Sequence, residues 1–149
     1  MSNAQRRIKM IIRKQFQFDA AHMLSKYEGK CANLHGHTYT GDVEICGPLQ
    51  HDDMVIDFNK IKAIIEPYDH AILFSAPAIR NTAETELYKW ADIHKMRYVI
   101  IVHGKCTAEN ISAQIAKEIA EALKNCIHVK VWLHETPGST VIGEWRKAR

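Results

Sequence analysis

Along residues 8 to 18 apolar and polar side chains alternate. Ile8, Met10, Ile12, Phe16 and Phe18 fall on one side, with Lys9, Arg13, Gln15 and Gln17 on the other. Successive residues of a strand point to opposite faces, so this pattern predicts a half-buried strand. Residues 23 to 34, with Ser25, Glu28, Gly29, Lys30 and Asn33, read as a loop. A second strand is expected over about 37 to 46, with Tyr39, Val43 and Ile45 opposite Thr38, Thr40, Asp42 and Glu44, and Gly47-Pro48 stops it. After a polar turn at 50 to 53, Asp57 is suited to cap a helix with Phe58, Ile61, Ile64 and Ile65 on one side, ended by Pro67. Residues 68 to 81 are loop-like, with a break at Pro77. Asn81 or Thr82 caps a helix to about His94 whose apolar side is Leu87, Trp90 and Ala91. The apolar run 98 to 102 predicts a short buried strand, closed by Gly104. Thr107 caps the clearest helix, with Ile111, Ile115, Ile119, Ala122 and Leu123 at helical spacing. Ile127, Val129, Val131 and Leu133 alternate as a third main strand, and Thr136-Pro137-Gly138-Ser139 turns the chain into a last one at about 140 to 145. The order β-β-α-(α)-β-α-β-β predicts an α+β architecture of antiparallel strands with helices on one face.

Composition narrows this without changing it. A chain of 149 residues fits one domain, residues 1–149, with a core that needs no disulfides. At 46% hydrophobic and 25% charged it is neither disordered nor fibrous. No apolar run approaches the roughly 20 residues that span a bilayer, and no secretory signal is present, so no membrane partner is expected. The net charge of +3, with no basic block beyond Arg6-Arg7 and Arg146-Lys147 at the ends, gives no reason to expect nucleic acid. The opening Met1-Ser2-Asn3-Ala4 reads as an expression remnant outside the fold. Cysteines 31, 46, 106 and 126 show no CxxC pairing and read as reduced thiols of a cytoplasmic protein.

The chemistry centres on His22 and Cys31-x-x-x-His35-Gly36-His37. His35 and His37 are two apart on a β-prone segment, so both imidazoles face one point, and an antiparallel neighbour brings His22 alongside. Three neutral nitrogens suit Zn²⁺ with an open fourth position. Cys31 is placed to be a fourth ligand or a reactive thiol; HxH alone also suits a surface turn. Asp69-His70 follows a helix, where an acid can orient an imidazole for acid–base work, although solvated Asp-His pairs are common. Glu135 continues the inward face of Val129, Val131 and Leu133, where a carboxylate needs a cation or a ligand with paired N–H donors. Glu109 in Thr107-Ala108-Glu109-Asn110 most simply compensates a helix dipole, although a helix N-terminus also offers N–H groups to a ligand.

Together Phe16-x-Phe18-x-Ala20-Ala21-His22, Cys31-x-x-x-His35-Gly36-His37, Val55-Ile56-Asp57-Phe58, Asp69-His70, Thr107-Ala108-Glu109-Asn110 and His134-Glu135-Thr136 resemble the 6-pyruvoyl-tetrahydropterin synthase family. They are closest in pattern to the bacterial branch that makes 6-carboxy-5,6,7,8-tetrahydropterin for queuosine and other deazapurines. The motifs span residues 16 to 136 in the family's order. The resemblance implies a tunnelling fold, a four-stranded antiparallel sheet with two main helices on one face plus a short helical insertion. It implies trimers or hexamers with active sites between subunits. By position, His22, His35 and His37 would bind zinc, Cys31 would be the thiolate base, and Asp69 and His70 an acid–base pair from a neighbouring subunit. Glu135 would hold the pterin's 2-amino and N3 hydrogens, with Glu109 and Thr107 near the same ring. The implied reaction converts 7,8-dihydroneopterin triphosphate to the carboxy product, acetaldehyde and triphosphate. A pyruvoyl product is the first alternative, and the Cys31-to-His35 spacing resembles the carboxy branch. A zinc-binding module without catalysis is the second. Two features depart from the family. About three dozen residues separate His70 from Thr107, longer than compact members, and Cys106 stands where proline is usual.

Overall fold

The alternation near the N-terminus runs past Phe18, and β1 covers Lys9–His22. Its partner β2, His35–Pro48, pairs with it antiparallel from Lys9 opposite Pro48 to His22 opposite His35. The chain continues through helix α1 (Phe58–Ile65), β3 (Ala71–Ser75), α2 (Ala83–Ile93), β4 (Tyr98–Ile101), α3 (Ala108–Ala122), β5 (His128–Thr136) and β6 (Ser139–Arg146). This computed structural model describes residues 9–50, 52–76, 82–123 and 126–148. Ile8, Pro77, Asn81, Arg6-Arg7 and the opening four residues lie outside them.

The strands form one six-stranded sheet in the order β4-β3-β1-β2-β5-β6. This corrects the expected four-stranded antiparallel sheet. The pairs β1–β2, β2–β5 and β5–β6 are antiparallel, whereas β3 runs parallel to both β1 and β4. β3 falls within the stretch read as a loop. Its sequence Ala-Ile-Leu-Phe-Ser is buried almost throughout and has no alternation to betray it, as is usual for a short parallel strand covered on both faces.

One face carries the main core. Phe18, Tyr39, Val43, Ile45, Val129, Val131 and Leu133 from the sheet meet Ile61 and Ile65 of α1 and Ile111, Ile115 and Ile119 of α3. Asp57 caps α1 as expected, its side chain accepting from Asn59 N at 2.8 Å. Thr107 stands at the N-cap of α3, but its side chain makes no capping bond. The third helix, α2, does not share this face. Leu73 belongs to the main core, while Phe74, its neighbour on β3, packs at 5.5 Å against Tyr88 of α2 and at 6.0 Å against Tyr98 of β4. Thr82 caps α2 with a reciprocal bond to Thr85. The expected apolar side is met at Ala91, which is buried, and at Leu87, which is half-buried, but Trp90 is exposed and Glu84 is fully buried.

α3 lies directly on β6 because Gly143 has no side chain. An added Cβ would stand within 2.6 Å of Ala113 N and as close to the Ser112 backbone. A helix backbone cannot yield as a side chain can. Gly143→Ala is therefore expected to destabilise the fold by about 1–3 kcal/mol, as overpacking does, read from the midpoint of urea unfolding.

Candidate metal centre

Pairing of β1 with β2 sets His22 opposite His35 and the small Ala20 opposite His37. Because residues two apart share a face, the three imidazoles gather at the end of this ladder. Ring centroids stand 4.6 Å apart for His22–His35, 4.9 Å for His35–His37 and 5.2 Å for His22–His37. One nitrogen from each lies within 4.8 Å of the others. His22 is 2% exposed, and the other two are half-buried.

The backbone decides which nitrogens face inward. His22 Nδ1 lies 2.6 Å from Cys106 O, and His35 Nδ1 lies 2.7 Å from Asn33 O. A carbonyl can only accept, so in the neutral ring each Nδ1 carries the proton and each Nε2 keeps a lone pair. Those two Nε2 atoms face one another at 3.1 Å, an acceptor against an acceptor. Protonating a ring would relieve this. Burial, however, pushes the pKa of His22 down, outweighing its bond to Cys106 and the charge of Glu135, which raise it. A cation satisfies both lone pairs at once. Neutral imidazoles whose other N–H is tied to a carbonyl are the donor set that Zn²⁺ and related ions take.

Glu135 enters from β5. The register slips between His134 and Thr136 against β6, leaving Glu135 as the extra residue of a bulge, a device that re-aims a side chain. Its Oε1 lies 3.6 Å from His22 Nε2 and 3.8 Å from His37 Nε2, and accepts from Tyr39 Oη at 3.4 Å. Burial first, then the Glu135 charge, pushes the phenol of Tyr39 above its ordinary range, so it stays a donor. Glu135 is itself 29% exposed at the rim.

Asp69 and His70 follow the 3-10 turn Glu66–Tyr68. His70 adopts a left-handed backbone (φ 57°). Its N–H donates to Asp19 O at 2.6 Å, and Asp69 Oδ1 accepts from Asp19 N at 2.9 Å. His70 Nδ1 sits 3.0 Å from Asp69 Oδ2. The Asp19 N–H, with His70 second, holds the Asp69 carboxyl below its ordinary value. Asp19 also accepts from Thr38 Oγ1, its partner across the ladder on the face opposite the imidazoles, and His37 and His70 line one shallow depression. The His70 side chain is 77% exposed.

Among the described residues, the other expected residues make no hydrogen bond or ion pair with the three imidazoles. Cys31 is half-buried on the 3-10 turn Lys30–Ala32, its carbonyl accepting from Leu24 N at 2.8 Å. Its sulfur is not among the atoms that gather within 4.8 Å of one another. Glu109 is exposed in the first turn of α3, and among the described residues neither it nor Thr107 has a hydrogen bond or ion pair to the histidines. Sequence reasoning missed Asp19, Thr38 and Tyr39, although the alternation around each placed Tyr39 inward. It also noted Cys106 for its thiol. That thiol is buried, which pushes its pKa up to about 12. The backbone carbonyl of Cys106 is the group that touches His22, and no residue type announces a carbonyl.

Fold and centre together define an α+β protein with three imidazole nitrogens turned toward a common point beside a rim carboxylate and an Asp-His pair. The chain belongs to the 6-pyruvoyl tetrahydropterin synthase family, whose sequence profile matches residues 11–144. It is 47% identical over 139 residues to the 6-carboxy-5,6,7,8-tetrahydropterin synthase of Haemophilus influenzae, covering 86% of this chain and 94% of that protein. The protein of the same name from Rickettsia bellii is 27% identical over 137 residues, 86% and 95% of the two chains. Among solved structures, the 6-pyruvoyl tetrahydropterin synthase of Plasmodium falciparum matches with a TM-score of 0.65 at 16% identity, covering 93% of this chain and 99% of that one. At that identity the likeness concerns the fold.

Proposed function

We propose that the chain is a zinc-dependent lyase that converts 7,8-dihydroneopterin triphosphate to 6-carboxy-5,6,7,8-tetrahydropterin, acetaldehyde and triphosphate, a precursor step toward queuosine and other deazapurines. The carboxy product is favoured over the pyruvoyl one by the name of the Haemophilus influenzae relative. The observation that carries the metal requirement is the facing pair of Nε2 lone pairs, fixed by two Nδ1–H bonds to carbonyls. His22, His35 and His37 are assigned as its ligands. When bound, zinc supplies a Lewis-acid contact for the substrate's side-chain hydroxyls.

The chain's own residues do the rest. Cys31 takes a carbon-bound proton as thiolate. Asp69 holds His70 through Nδ1, leaving Nε2 to pass protons. Glu135 accepts the pterin's 2-amino and N3 hydrogens with paired bonds, and Glu109 and Thr107 border the same ring. Against a non-catalytic zinc module stand Asp69-His70 and Glu135, neither of which a structural zinc needs. Incubating the pure protein with 7,8-dihydroneopterin triphosphate and weighing the product tests the assignment. The 6-pyruvoyl mass, or no turnover, would defeat it.

The edges of the sheet support an assembly. β4 and β6 are its outermost strands, and unpaired edges invite pairing with another chain. His70 faces solvent, as suits a residue shared with a neighbouring subunit. A homotrimer or homohexamer is expected by light scattering, and an active monomer would remove the shared site. Among the described residues all four cysteines are free and no helix is long and apolar enough to cross a membrane. The free thiols suit a reducing cytoplasm.

A further inference from the structure

Glu84 is fully buried, yet it belongs to α2, on the side of the sheet away from the main core. A buried carboxylate persists only where donors surround it. Its Oε1 accepts from Ser25 Oγ at 2.8 Å and from Ser25 N at 3.3 Å, and its Oε2 accepts from Ser75 N at 3.0 Å. Ser75 then reaches toward the metal centre. Its Oγ accepts from Cys106 N at 3.0 Å, and Cys106 O accepts from His22 Nδ1 at 2.6 Å. Ser25 follows Leu24, whose N–H donates to the carbonyl of Cys31. One carboxylate thus sits at the root of two short chains of bonds, one ending on a histidine of the centre and the other on the backbone of Cys31.

We infer that Glu84 is a positioning residue. Through Ser75 it fixes the Cys106 carbonyl, and with it the tautomer and ring orientation of His22. Groups that orient a ligating imidazole raise its metal affinity, and their loss typically costs about 10- to 100-fold. The inserted segment between β3 and α3 therefore has a task, which is to hold the centre in shape. The inference rests on the reading of His22 as a metal ligand only for its effect on zinc, not for its effect on the ring.

Glu84→Gln keeps the shape but puts an NH₂ against the N–H of either Ser25 or Ser75, whichever way the amide turns. In protein labelled with ¹⁵N at histidine and kept metal-free, the His22 Nδ1–H should exchange with solvent at least about tenfold faster than in the parent. Zn²⁺ affinity, measured by competition with a chromophoric chelator, should fall at least about tenfold. Ser75→Ala should do the same while leaving Glu84 its backbone partners. The double variant should be little worse than either alone, since both act through one chain. Unchanged His22 exchange in Glu84→Gln, or effects of the two substitutions that simply add, would overturn the inference, even if the melting temperature drops. Should Glu84→Gln not fold, unchanged exchange in Ser75→Ala overturns it alone. If neither parent nor variants bind Zn²⁺ while His22 exchange rises as stated, the metal reading fails and the positioning role stands.

Discussion

His37→Ala is expected to leave the purified protein with almost none of the roughly one zinc per chain that the parent should carry. The reasoning is one of ligand count. Three imidazole nitrogens leave a tetrahedral ion one open position, and removing one leaves two, below the number that holds zinc in known protein sites. The fold should survive, because His37 is 19% exposed and its strand is held by backbone pairing with β1. Circular dichroism should therefore match the parent while elemental analysis does not. Cys31→Ala is the companion measurement and should retain its zinc, since the thiol stands outside the nitrogen cluster. Zinc lost from Cys31→Ala would make Cys31 a fourth ligand and favour a structural metal; zinc kept by His37→Ala would dismiss the centre.

Much of this centre was legible in the sequence, for a physical reason. A period of two along β1 and β2 fixes which side chains share a face, so His35 and His37 had to converge and His22 needed only a register. The pairing of His22 with His35 supplies that register. Glu135 was legible in the same way, as the continuation of an inward face, although the bulge that aims it was not. Asp69-His70 was legible as a pair, but its fastening to Asp19 was not, because that contact joins the Asp69 carboxylate to a backbone N–H 50 residues away.

The region from 71 to 106 was least legible. β3 is four apolar residues and a serine with no period, too short a run to stand out from the loop around it. Its parallel partners depend on crossovers, and local pattern says little about those. In α2 the apolar stripe pointed to Leu87, Trp90 and Ala91; the structure buries Ala91 and half-buries Leu87, but it exposes Trp90 and buries Glu84. A hydrophobicity argument puts a glutamate outside by default. Only the N–H and O–H groups of Ser25 and Ser75, one lying 59 residues away, overturn that default.

Cys31→Ala and Glu135→Gln should fail in different constants. A base acts mainly in the transition state, so Cys31→Ala should abolish turnover while a pterin still binds near its normal affinity. Glu135 has a ground-state task. Charge-assisted hydrogen bonds are worth roughly 1.5–3 kcal/mol each, and glutamine would turn a donor toward the ring's own N–H groups. Pterin affinity should then fall at least about tenfold. Glu135 Oε1 also stands 3.6 Å and 3.8 Å from the Nε2 atoms of His22 and His37, so zinc content belongs in the same experiment. An anchor for the pterin leaves zinc unchanged when replaced by glutamine, whereas a metal ligand does not. Calorimetric titration with a pterin, a product assay and elemental analysis on both variants supply the three readings. Unaltered pterin affinity or lost zinc in Glu135→Gln would remove the anchor assignment, and normal turnover in Cys31→Ala would remove the thiolate base.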